Sequence, residues 1–173
     1  MNDKSLFMDK NLPNLIHVLE KEVENYRLLL TALRKEKDAV LCSSIEKLNA
    51  AASEKDSLIL KIGFLEKRRL KSLHKLATYL NCPPETIRLK RLAKMVPQPH
   101  SYRLNIIYRN LVEITKQIGK MNRSNENLMT HALNVTKESI TFLYNLIVSH
   151  STYYPTGKMY SKKRNGLLMS ETI

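Results

Sequence analysis

Residues 104–149 constrain the fold more than any other stretch of this chain. They hold an apolar pattern of helical period for 46 residues, with no proline and one glycine, Gly119. Stepping alternately by three and four gives Leu104, Ile107, Leu111, Ile114, Ile118, Met121, Asn125, Leu128, Ala132, Val135, Ser139, Phe142, Leu146 and Ser149. Eleven of these fourteen positions are apolar, a periodicity that neither a strand nor a loop produces. At about 1.5 Å per residue the stretch predicts one helix roughly 69 Å long. A helix of that length needs comparably long partners. From Leu128 onward a second stripe joins the first: Met129, Leu133, Ile140, Leu143 and Ile147. A doubled stripe covers a wider arc than one helix–helix seam, so it predicts either further packing helices or another protein.

The rest of the chain supplies such partners. Pro13 suits the first turn of a helix, with Asn11 as its cap and residues 1–11 frayed. Leu15, Ile16, Leu19, Val23, Tyr26, Leu29 (or Leu30), Leu33 and Val40 then recur at helical spacing to about Leu41. Charges including Glu20, Glu22, Glu24, Arg34, Lys35 and Glu36 are assigned to the opposite side. Ser43-Ser44-Ile45-Glu46 has the order of a capping box, which predicts a tight turn before a second helix. That helix carries Ile45, Leu48, Ala52, Leu58, Ile59, Ile62, Leu65, Leu70, Leu73, Leu76 and Leu80. Lys55 and Arg69 stand at seam-like positions, where their stems can lie on the core while their charges stay wet. Pro83-Pro84 ends it, residues 85–95 read as a short helix, and Pro97 and Pro99 precede the long third one.

The expected fold is therefore all-α: an elongated antiparallel bundle of three long helices, with a short extra helix between the second and third. Residues 1–150 form the bundle domain, and residues 151–173, with Pro155, Gly157 and Gly166, form a flexible tail. No apolar run is long enough for a membrane span, and the first residues lack the order of a secretory signal, so a cytoplasmic chain is expected. Cys42 and Cys82 are read as small apolar residues.

The net charge of +13 is unevenly placed. Residues 1–60 carry −1 and residues 61–103 carry +9, followed by +2 over 104–150 and +3 over 151–173. A basic region invites an acidic partner or nucleic acid. Residues 76–92 have the order of a helix-turn-helix, in which Arg88, Lys90 and Arg91 would face DNA; a solvated helix face accounts for the same charges. Catalytic chemistry finds no constellation. His17, His74, His100, His131 and His150 are scattered, and there is no phosphate loop, nucleophile elbow or metal-ligand spacing. The expectation is a protein with no cofactor and no metal that is not an enzyme.

Ordered landmarks point further. They are Tyr26-x-x-Leu29-Leu30 after Glu22, the Glu54-Lys55 segment leading to Leu65-Glu66-x-x-Arg69, and the paired prolines of 81–85. Asn122-x-x-Asn125-x-x-Leu128-Met129 and the 152–157 stretch TYYPTG follow. In this order they resemble the FlgN-type flagellar export chaperones over nearly the whole chain. Tyr154 stands where that family often has glycine, and Thr156 where it often has an acidic residue. The resemblance implies a chaperone of the flagellar type III secretion system whose cargoes are hook–filament junction proteins of FlgK and FlgL type. It also implies cargo binding through the C-terminal part, and contact of the tail region with the export gate.

The doubled stripe offers the surface for such cargo: Leu128, Met129, Ala132, Leu133, Val135, Ile140, Phe142, Leu143 and Ile147. Packing of both stripes on the first two helices is the competing reading. Tyr153, Tyr154 and Gly157 are the residues expected at the export apparatus. Asn125 interrupts the seam, either to fix register or as a solvated position. A DNA-binding regulator and a structural coiled-coil dimer, formed through the doubled stripe, are the alternatives.

Overall fold

The computed structural model describes residues 3–79, 83 and 87–149, with side chains described between residues 11 and 147. The described residues form an all-α bundle of three long helices and one short one. Helix α1 is Asp3–Leu41, α2 is Ile45–Tyr79, α3 is Leu89–Met95 and α4 is His100–Ser149. The chain divides into two compact units, Met1–Thr130 and His131–Ile173. The first contains α1 to α3 and the start of α4. The described part of the second is helical over 131–149. The expected boundary at 150/151 and the tail beyond it lie outside the described residues.

Cross-links within the first unit give the helix directions. Lys35 pairs with Glu54 at 2.7 Å and Glu22 with Arg69 at 3.0 Å, so residue numbers on α1 rise as those on α2 fall. Glu20 pairs with Arg103 at 2.7 Å, while the Leu33 carbonyl accepts from Asn125 at 2.8 Å. Here both numbers rise together, so α4 runs parallel to α1 and antiparallel to α2. The main core joins Leu12, Leu15, Ile16, Leu19 and Val23 of α1 to Leu76, Leu92, Leu104 and Ile107. A second core joins Leu29, Ala32 and Leu33 to Leu58 and Ile62, with Ile118 and Met121 against it. Each large side chain buried this way contributes about 1.5–3 kcal/mol.

Several expectations are corrected. Helix α1 begins at Asp3, and Pro13 lies inside it rather than in its first turn. An interior proline forfeits a backbone hydrogen bond and costs about 3 kcal/mol. Leu12, Leu15, Ile16 and Leu19, all buried around it, offset that loss. The α1–α2 turn exists, but its chemistry is displaced by one residue. Ser43 has φ 51°, its N–H bonds to the Val40 carbonyl, and the Ser44 N–H bonds to the Ala39 carbonyl. That pair of bonds is a Schellman C-cap with serine in the place usually held by glycine. Ser44, not Ser43, then caps α2 by accepting from the Lys47 N–H at 3.3 Å, so no glutamate reciprocates.

The seam of α2 runs through Ala51 rather than Ala52, and Ile45, Ile59 and Leu70 are exposed. Helix α3 starts at Leu89, because Arg88 is extended (φ −77°, ψ 142°). Cys42 is exposed rather than packed, and Cys82 lies outside the described residues.

Candidate functional site

Helix α4 changes character along its length. Leu104, Ile107, Ile114 and Asn125 are buried, with Leu111, Ile118, Met121 and Leu128 partly so. Of the nine residues expected to hold cargo, Leu128, Met129 and Ala132 are half-buried. Leu133, Val135, Ile140, Phe142, Leu143 and Ile147 are exposed, between 47% and 74% of their surface. From Leu133 onward both stripes are exposed. Tyr144 and Leu146 are exposed beside them and were not among the nine. Leu146 already stands in the first stripe, and spacing would have found Tyr144, four residues after Ile140.

The hydroxyls of this half bond locally. Thr130, Thr136, Ser139 and Thr141 each return a hydroxyl hydrogen to the carbonyl four residues earlier, at 2.8 to 2.9 Å. Those hydroxyls are thereby satisfied, leaving an apolar surface without competing donors. The two stripes stand about 100° apart around the axis, wide enough for an amphipathic segment to lie between them.

The bundle itself contains two polar layers that sequence reasoning missed. Glu22 and Glu36 were assigned to the charged side, yet both are buried. Arg69 donates through Nε to Glu22 at 3.0 Å and through Nη2 to Glu66 at 3.2 Å. Burial pushes the Glu22 carboxyl above its ordinary 4.5, against the charge and hydrogen bond of Arg69, which pull it down. Burial, then the charges of Glu22 and Glu66, raises the Tyr26 hydroxyl beside them.

Two heptads along, Lys55 pairs with Glu36, whose other oxygen accepts from Asn125 Nδ2 at 2.9 Å. The same Nδ2 reaches the Leu33 carbonyl, so Asn125 ties α4 to α1 and to the ion pair. Asn125 is thus a buried register residue, not a solvated one. The signal was available: Glu22 lies three residues after Leu19 and four before Tyr26, inside the seam.

The basic region gives no projecting recognition helix among the described residues. Helix α3 has seven residues, and its Leu92 and Ala93 are fully buried in the main core. Among the described residues no group of His, Cys, Asp or Glu is placed to hold a metal ion, and no helix is long and apolar enough to cross a membrane. His17, His74 and His131 are exposed and His100 is half-buried; His150, Tyr153, Tyr154 and Gly157 lie outside the described residues.

The family model for FlgN protein matches residues 8–161 of the chain. The chain belongs to the FlgN family. FlgN is a family of flagellar export chaperones, and its match spans all four helices, from within α1 to past the end of α4. Membership makes flagellar proteins the partners of this FlgN chain. No curated protein and no solved structure matches the chain.

Proposed function

We propose that this chain is a cytoplasmic chaperone that binds hook–filament junction proteins of FlgK and FlgL type through the second half of α4. It keeps them unpolymerised and delivers them to the flagellar type III export apparatus. The observation that carries this reading is the exposed double stripe of Leu133, Val135, Ile140, Phe142, Leu143 and Ile147 in a FlgN family chain. Leu128, Met129 and Ala132 extend it toward Asn125. An exposed apolar face on a helix whose backbone is already satisfied suits a disordered amphipathic segment that folds as it docks. The same face favours self-association when cargo is absent. Tyr153, Tyr154 and Gly157 are assigned to the export gate on the resemblance of residues 152–157 alone.

Calorimetric titration with a C-terminal segment of a FlgK-type protein from the same organism tests the reading. Leu133→Asp and Phe142→Asp substitute exposed residues, so both variants keep their helicity. Sub-micromolar binding by the parent chain, lost in both variants, is the expected result. Equal binding by parent and variants overturns the assignment of the face, and no binding by any of them overturns the choice of cargo.

A further inference from the structure

A second surface, sharing no residue with the 128–147 face, lies within the first unit. Helices α2 and α4 leave a groove of about 500 Å³ between them. Its floor is Leu15, Leu19 and Glu22 of α1, and residues 87–89 line it as well. Leu73 and Leu111 deepen its apolar wall, while Leu70 and Val112, 45% and 50% exposed, form opposite lips. Large apolar side chains at a rim contribute little to the bundle, and each loses its water only if something is laid across the groove.

Among the described residues, the charges around the groove that have no ionic partner are mainly basic. Arg88 lines it and is exposed. Lys67 is three residues before Leu70, and Arg109 and Lys116 are three before and four after Val112. One helical turn therefore places these three basic residues alongside the lips. None of the four makes an ion pair among the described residues. The nearby acids are engaged: Glu22 and Glu66 with Arg69, and Glu113 with Gln117 at 2.8 Å.

We propose that this groove is a docking site for an acidic amphipathic helix of another protein. Its apolar side chains would enter between Leu70 and Val112, and its carboxylates would meet Lys67, Arg88, Arg109 and Lys116. A helix fits because the groove is walled by helices and offers no strand edge; an occupant must satisfy its own backbone. The inference does not rest on the chaperone reading, since neither the cargo nor its face enters it.

The probe is a fluorescein-labelled helical peptide of about four turns, with leucine at helical spacing and glutamate elsewhere. A scrambled peptide of the same composition is run beside it, and binding is read by fluorescence anisotropy. The amphipathic peptide binds in the micromolar range and its scrambled form at least ~10-fold more weakly, because charge alone is shared by both. Leu70→Asp with Val112→Asp weakens binding ~10-fold or more, and Arg88→Glu with Arg109→Glu does the same without touching the apolar wall. Leu133→Asp leaves it unchanged. Equal binding of the two peptides, insensitivity to both pairs of substitutions, loss of binding in Leu133→Asp, or no binding at all would overturn the proposal.

Discussion

Helix α4 repeats one pattern in two halves with opposite outcomes. Between Leu104 and Asn125 the apolar seam is buried in the two cores of the first unit. Between Leu133 and Ile147 the same spacing leaves every described apolar side chain at least 45% exposed. Periodicity therefore specifies which face of a helix is apolar, and says nothing about what covers it. In the first half the chain covers the face itself. In the second the face is exposed, which is the ground for proposing that a partner covers it.

The comparison breaks most visibly if truncations in the two halves have equal effects. Leu104→Ala, at a fully buried position of the first half, is expected to destabilise the bundle by about 3 kcal/mol in urea unfolding followed by circular dichroism. Leu133→Ala, at 70% exposure, is expected to stay within about 0.5 kcal/mol of the parent. Similar losses at both sites would mean that the second half is core after all.

Asn125 stands where the two behaviours meet. Its amide serves Glu36 and the Leu33 carbonyl at once. Asn125→Ala removes a donor from a buried carboxylate and opens a small cavity, for an expected loss of about 2 kcal/mol by the same unfolding assay. A loss confined to a few tenths would show that the seam ends before this residue.

Much of this arrangement was legible beforehand. Leu104 to Met121 and Leu15 to Leu33 read directly as facing seams, and the short helix between the second and third was expected. The departures share a cause: position in the helical repeat outweighs the chemistry of the side chain. Charge alone predicts a surface place for Glu22 and Glu36, although each sits in the seam, opposite the seam cations Arg69 and Lys55. A missing N–H predicts a helix start at Pro13. No local rule registers that four buried neighbours can hold it inside a helix. The fate of the second half of α4 was open for the opposite reason, since a stripe looks the same covered or bare.

The layer at Glu22 offers a pH test of the packed half. Its folded carboxyl titrates above the ordinary 4.5, so the native state holds that proton more tightly than the unfolded chain does. The stability it contributes is full below 4.5 and is lost as pH rises through the raised value. Glu22→Gln lacks this loss and keeps an acceptor for Arg69. The variant should gain on the parent between acidic and neutral pH, the whole difference arising above 4.5. A parent that instead gains stability on the variant over that window would show that Arg69 outweighs burial.

The smallest effect separates the halves by backbone alone. A Cβ built at Gly119 meets nothing within 4 Å, and the residue is helical and exposed. Gly119→Ala therefore removes unfolded-chain entropy without adding a contact, and should raise global stability by about 0.5–1 kcal/mol. Thr136→Ala, in the second half, likewise favours the helix by releasing a hydroxyl bonded to the Ala132 carbonyl. Its stabilisation stays local if the second half opens without the cores. Amide exchange around residue 136 should then slow while the global unfolding midpoint does not move. If Thr136→Ala shifts the midpoint as far as Gly119→Ala does, the two halves of α4 unfold as one and the exposed face is part of the cooperative fold.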